Sequence, residues 1–433
     1  MSGSASPAWL APLLTRRMAI CVVTGFSSGL PLFLLLNLLP AWLKTEGIGL
    51  KEIGLFALIQ FPYTWKFLWS PLVDRYALPV LGRRRGWMLA TQALLIGAIA
   101  AFGLVSPQEG LRMVSLIAIA VALLSATQDI VLDAYRRELL LDTELGLGNA
   151  VHVNAYKIAG LIPGSLSLWL ADRLPWGEVF AITALFMLPG AIMTLLVREP
   201  DTGVRAPKSL QQAVVEPFRE FVSRSGMRGA LLVLAFIFLY KLGDSLCTAL
   251  ATPFYLEMGF TKSEIAIVAK NAGLWPSVIG GLLGGLWMVK LGINRALWIF
   301  GIVQLMAIFG FAWLAWLGPG PASPDRLLAL AGVIGFEALG VGLGTAAFVA
   351  YIARTTHPAY TATQFALFTS LAAVPRTVVN ASAGWLVAGL GWVDFFLLCA
   401  LLAIPGMLLL WRIAPWNDVS AAAPAGDPAT MRR

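Results

Sequence analysis

The chain has 433 residues, 58% of them hydrophobic and only 12% charged, with a formal net charge of +8 and a mean hydropathy of +0.79. So little charge excludes a soluble enzyme or binding module and marks a polytopic membrane protein. The positive balance is also no sign of nucleic-acid binding, because it distributes as membrane topology requires.

Apolar runs of about 20 residues, the length that crosses a hydrocarbon core, recur at 17–40, 52–73, 86–105, 112–134, 148–170 and 177–197. Six more follow at 229–252, 263–287, 295–316, 326–350, 362–389 and 391–412. With both termini cytoplasmic, the even-numbered loops and the ends hold 20 Lys and Arg, the odd-numbered loops hold 6, and 5 stay inside spans. That asymmetry is the positive-inside rule and sets the expected orientation. "LTRRMAICVV" runs straight into the first span, so no cleavable signal peptide is expected. Cys21, Cys247 and Cys399 fall within spans, which argues against a disulfide framework.

Charges inside spans cost at least about 2.5–3.5 kcal/mol each and therefore face a partner or a wet cavity. In "YTWKFLWSPLVDRY" (63–76), Lys66 lies eight residues before Asp74, about 12 Å along a helix, too deep to snorkel easily. It is either a structural lysine paired with a neighbouring carboxylate or a cavity residue, with Gln60, Tyr63 and Trp65 extending the same polar and aromatic surface. In "ATQDIVLDAYRREL" (126–139), Asp129 and Asp133 share a face. Asp133 reads as a partner for Arg136 or Arg137, a functional acid being the alternative, whereas Asp129, beside Gln128, is either a titrating proton site or an ion-pair partner of Lys66 or Lys157.

The second half repeats the theme. Lys241 and Asp244, next to Tyr240, are three apart and can pair within one helix; Lys270 with Asn271, Glu337, and Arg376 all fall within spans. Glu337 is the second proton candidate, structural pairing to Arg376 or Lys241 being the alternative. Five intramembrane cations against three anions leave an excess that an anionic ligand would balance. His152 and His357 read as interface residues. No P-loop or nucleophile elbow is present, so ATP-driven pumping has no support.

"PAWLKTEGIGLKEIG" (40–54) is matched by "PFYLEMGFTKSEIA" (253–266), and "LGRRR" (81–85) by "LGINR" (291–295). Two matches at nearly one offset indicate an internal parallel repeat of six-helix blocks, the plan of transporters whose substrate site lies between the halves. The expected domains are therefore 1–197, a cytoplasmic linker at 198–228, 229–412, and a disordered tail at 413–433. Within the linker, "SLQQAVVEPFREFV" reads either as a short helix on the membrane surface or as a plain mobile connector.

"KFLWSPLVDRY", "LGRRRGWM" and "TQDIVLDAYRRE" together resemble the AmpG-type muropeptide permeases, major facilitator proteins related to the acetyl-coenzyme A transporters. The resemblance implies an all-α membrane fold of twelve transmembrane helices in two six-helix pseudo-repeats. It also implies proton-coupled import of N-acetylglucosaminyl-anhydro-N-acetylmuramyl peptides across the bacterial inner membrane, for peptidoglycan recycling and β-lactamase induction. No cofactor or metal is implied, and the expected state is a monomer. The superfamily's gating motif, Gly-x-x-x-Asp-Arg-x-Gly-Arg-Arg, is matched at Asp74, Arg75, Gly82, Arg83 and Arg84, with Ser70 in place of the first glycine and "YALPVL" in place of the single spacer. Arg85, Asp133 and Arg136 join these as expected gating residues. The lysines and arginine within spans, with Gln60, Tyr63, Trp65, Gln128, Tyr240, Asp244 and Asn271, are the expected substrate contacts. Some members carry further helices after the twelfth, and this sequence reads as the core without them. The alternatives are a transporter of another organic anion, such as a nucleotide-linked acyl group or a phosphosugar, and, more remotely, an intramembrane enzyme.

Overall fold

A computed structural model of the chain describes residues 11–49, 56, 59, 61–78, 81–199, 209–321 and 323–417. These residues form α-helices joined by short 3₁₀ and π turns, without a strand; the one ladder contact is an isolated bridge between Leu78 and Gly82. The helices used below are α1 (Arg16–Phe33), α2 (Phe61–Trp65), α3 (Ser70–Arg75), α4 (Arg83–Ala101), α5 (Pro107–Leu139), α6 (Leu145–Ala159), α7 (Leu188–Leu196) and α8 (Leu210–Leu239). They continue with α9 (Leu242–Thr248), α10 (Lys262–Trp316), α11 (Pro324–Thr355), α12 (Thr361–Val378) and α13 (Ala383–Ile413).

Among the described residues, eight helical segments are long and apolar enough to cross a membrane, so length alone does not establish the expected twelve. Two features of the helices separate the two counts. First, neighbouring spans join across tight glycine turns: α10 runs 55 residues, about 80 Å at 1.5 Å per residue, against a hydrocarbon core of about 30 Å. Gly292 breaks it with φ 73 and ψ 166, a left-handed conformation that a side chain would strain, and Gly391 does the same in α13 with φ 77. Second, other expected spans are broken into pieces. The span at 52–73 consists, where described, of α2, a 3₁₀ turn at Lys66–Leu68 and α3. Pro71 opens α3, where its missing N–H costs nothing. The span at 148–170 is α6 followed by a π turn at Ile162–Leu166 containing Pro163.

The chain divides into two compact units. The first comprises Met1–Leu139, Val151–Gly226 and Thr356–Ala373; the second comprises Leu140–Ala150, Met227–Thr355 and Val374–Arg433. Compared with the expected domains, the boundary at Gly226 lies in the linker, and two short segments are exchanged. One of these, 356–373, places the start of α12 in the first unit. Gly25 and Gly29 of α1 lie so close to the His152 and Tyr156 carbonyls of α6 that a Cβ at either position would collide. Both glycines therefore serve close packing of α1 on α6.

The internal repeat is visible in backbone conformation. Gly47 (φ 82) and Gly259 (φ 93), equivalent in the first repeated motif, both adopt positive φ, as do Gly82 (φ 93) and Gly292 (φ 73) in the second. Each half also buries an aromatic cluster at the same motif. Trp42 packs edge-on to Phe102 and Phe180 in the first unit, and Tyr255, with Phe254, packs on Phe311 in the second.

Candidate functional site

Two charged clusters form on α5, both inside the first unit. In the deeper one, Lys66 is 6% exposed and Asp129 is 9% exposed. The Lys66 ammonium lies 3.9 Å from Asp129 Oδ2 and 3.7 Å from Asp133 Oδ2, too long for hydrogen bonds. Asp133 is held separately by Arg136, whose Nη2 donates to Oδ1 at 2.7 Å, and Asp129 accepts from the Ser28 hydroxyl of α1. Lys66 is thus shared between two carboxylates and firmly bonded to neither. The Tyr63 and Ser125 hydroxyls are buried with no hydrogen-bond partner beyond each other among the described residues. Gln128 donates from Nε2 to the Ser27 carbonyl at 2.8 Å, tying α5 to α1. His152, expected at an interface, is buried on α6 with Nδ1 3.2 Å from the Thr24 hydroxyl.

The second cluster is more densely bonded, with Arg83 Nη1 buried and left without a partner among the described residues. Asp74, fully buried at the end of α3, accepts from Arg84 Nη2 at 2.9 Å and from the backbone N–H of Ala362 at 3.3 Å through Oδ1. Its Oδ2 accepts from both the backbone N–H and the hydroxyl of Thr363 at 2.8 Å. Asp74 therefore caps the first turn of α12, where unpaired N–H groups and the positive end of the helix dipole favour an anion. Glu138 Oε1 accepts from Arg84 Nη2 at 2.6 Å, Arg84 Nε at 3.0 Å and Arg83 Nη2 at 3.1 Å, and from the Thr361 hydroxyl at 2.5 Å. Arg84 Nη2 also reaches that hydroxyl at 2.6 Å. Glu199 caps the start of α4 through the Arg84 and Arg85 N–H groups at 2.6 and 3.0 Å. The Arg85 side chain satisfies the Thr194 and Leu195 carbonyls at the end of α7.

Of the expected gating residues, Asp74, Arg83 and Arg84 meet in this second cluster, and Arg85 braces it. Asp133 and Arg136 belong to the deeper one. Arg75 lies 5.4 Å over the Tyr76 ring, outside both. Glu138, Glu199, Thr361 and Thr363 were not singled out from sequence; the only signal was that Glu138 directly follows Arg136-Arg137 in a chain poor in charge.

Trp65 is 40% exposed and stacks between Phe61 and Phe67, and Lys157 is half-buried on α6. In the second unit Lys241 meets Asp244 at 3.4 Å. Tyr240 is buried, donating to the Leu297 carbonyl at 2.9 Å and stacking on Phe348. Asp244, Tyr240 and Gln304 line a small cleft with Gly301 and Met407. Glu337 is half-buried on α11 and Asn271 is exposed on α10. Gln60 lies outside the described residues, as do the side chains of Lys270 and Arg376, whose backbones belong to α10 and α12.

The sequence pattern of the Major Facilitator Superfamily matches residues 20–379. The chain belongs to that superfamily. This major facilitator transporter is 52% identical to an uncharacterized protein of Haemophilus influenzae, over 93% of this chain and 96% of the relative. It is 43% identical to the anhydromuropeptide permease of Escherichia coli, over 91% of this chain and 79% of that permease. It is 34% identical to the putative transporter AmpG 4 of Rickettsia felis, over 91% and 95% of the two chains. Among solved structures, FucP in its outward conformation superposes with a TM-score of 0.70 at 12% identity, covering 92% of this chain and 98% of that one. The human organic anion transporter MFSD10 gives 0.69 at 17% identity, with 94% and 100% covered. At these identities the two structures speak for the fold, and the fold is that of a multi-pass membrane transporter.

Proposed function

We propose that this transporter imports anhydromuropeptides from periplasm to cytoplasm by alternating access, driven by the proton gradient. The supporting observation is the 43% identity, over 91% of the chain, to a permease of that name. The deep cluster has the chemistry that coupling needs. A lysine shared loosely between carboxylates can turn to a peptide carboxylate when Asp129 takes up a proton, linking proton entry to substrate binding. Glu337 is the corresponding titratable group of the second half. The densely bonded cluster around Arg84 is the proposed lock on the cytoplasmic side, closed when Asp74 caps α12 and opened when that cap is lost. The basic bias of the even-numbered loops supports an inner-membrane protein with both termini cytoplasmic, acting as a monomer of two six-helix domains at 1–197 and 229–412.

The test is uptake of a labelled anhydromuropeptide into proteoliposomes with an imposed pH gradient. Accumulation that collapses with the gradient is expected. Undiminished uptake without it overturns the coupling, and uptake of another organic anion in place of the muropeptide overturns the substrate.

A further inference from the structure

Helix α8 is two helices in one. Gly226, at φ 67 and ψ 162, breaks it, and the part before the break is the segment that joins the two halves of the chain. That part has three distinct sides. On one, Ala213, Pro217 and Phe221 are buried. Gln364, itself 1% exposed near the start of α12, donates from Nε2 to the Pro217 carbonyl at 2.9 Å and to Glu220 at 2.7 Å, while its Oε1 accepts from the His357 N–H at 2.7 Å. Phe221 meets Phe368 edge-on at 5.1 Å. A second side is polar and carries Gln212, Glu216, Arg219 and Ser223.

The third side is apolar and open. Val214, Val215 and Phe218 are 45%, 43% and 43% exposed, and with Val222 they form a stripe about 100° wide at 100° per residue, the signature of a helix that buries a face. Chain connectivity says what covers it: the stripe belongs to the same continuous segment, Gln211–Glu257, that contains an apolar window able to span a membrane, and it lies 7 to 15 residues before the span expected to begin at 229. Arg219 lies beside it, and the linker from 198 to 228 holds six basic residues against four acidic ones, a balance that complements an anionic lipid surface.

We propose that the linker helix docks on the bilayer, its Val214, Val215, Phe218 and Val222 stripe seated among anionic lipid headgroups while its opposite side pins the first turns of α12. The membrane surface thereby becomes part of the hold on the helix end that Asp74 caps, and the charge of the leaflet sets how firmly that hold is made.

The experiment places a bimane label at Val215→Cys, Phe218→Cys or Ser223→Cys in the full transporter, whose native cysteines are buried. The protein is reconstituted in phosphatidylcholine with or without phosphatidylglycerol, with a quencher attached to the lipid chains. Labels at 215 and 218 are expected to be quenched several-fold more than the label at 223, and more strongly when phosphatidylglycerol is present. Equal quenching at all three positions overturns the docking. Labels at 215 and 218 shielded from both lipid quencher and aqueous iodide overturn it in favour of a protein partner or a second copy. Quenching indifferent to phosphatidylglycerol overturns the anionic preference. None of these readouts depends on which solute is carried.

Discussion

The two clusters on α5 are made of the same residue types and differ in how completely they are bonded. Around Arg84, the carboxylates of Asp74 and Glu138 receive backbone N–H, hydroxyl and guanidinium donors, and Arg84 is fully buried. Around Lys66, two carboxylates share one ammonium at 3.7 and 3.9 Å, and the nearby Tyr63 and Ser125 hydroxyls have no partner beyond each other among the described residues. A buried charge with every bond made resists any change, whereas one with bonds still to make can exchange partners for a proton or a ligand. On the proposed function, the contrast is that between a lock and a working site on a single helix.

The comparison breaks most visibly at Asp129. Asp129→Asn keeps an acceptor for Ser28 but cannot titrate, so it is expected to abolish uptake against a gradient while leaving the melting temperature near that of the wild type. Accumulation equal to wild type would make Asp129 structural. Next comes Arg84→Ala, which strands two buried carboxylates and should lower stability by about 3–5 kcal/mol, read by thermal unfolding in detergent. A loss below about 1 kcal/mol would mean the second cluster is hydrated and not locked. The smallest effect sharpens the contrast: Lys66→Gln leaves Asp129 with Ser28 and Asp133 with Arg136, so apo stability should fall far less than in Arg84→Ala. Affinity for a peptide-bearing ligand should weaken by about 2 kcal/mol, the low end for a charge pair in a wet site, and affinity for a neutral sugar fragment should hold. Equal weakening for both ligands, together with a large apo destabilisation, would assign Lys66 to holding the bundle together.

Much of this was legible in the sequence because hydropathy and glycine are local signals. The apolar runs marked where helices lie, and "LGRRR" and "LGINR" marked the places of two left-handed glycines. Span count was less legible, since the interruptions at Lys66–Leu68 and Ile162–Leu166 break a helix without breaking the apolar run that contains it. The pairing of Lys66 with the aspartates was among the readings that residue spacing left open. The partners of Asp74 were out of reach: Thr363 lies 289 residues away, and nothing in a threonine-rich helix start distinguishes a cap donated to a remote carboxylate from one made locally. Glu199 was hidden for the same reason, standing 115 residues from the N–H it caps.

The distance between Glu138 and Thr361, 223 residues, carries a consequence for how the protein is made. At about 5–20 residues per second of synthesis, roughly 10–45 seconds pass between the emergence of the acid and that of the hydroxyl. Through that interval Asp74, Arg84 and Glu138 exist without the helix start that completes them, and water must fill the vacant donor positions. The first half of the chain is therefore born with its most tightly bonded region still wet, and it dries only when the eleventh of the expected spans arrives.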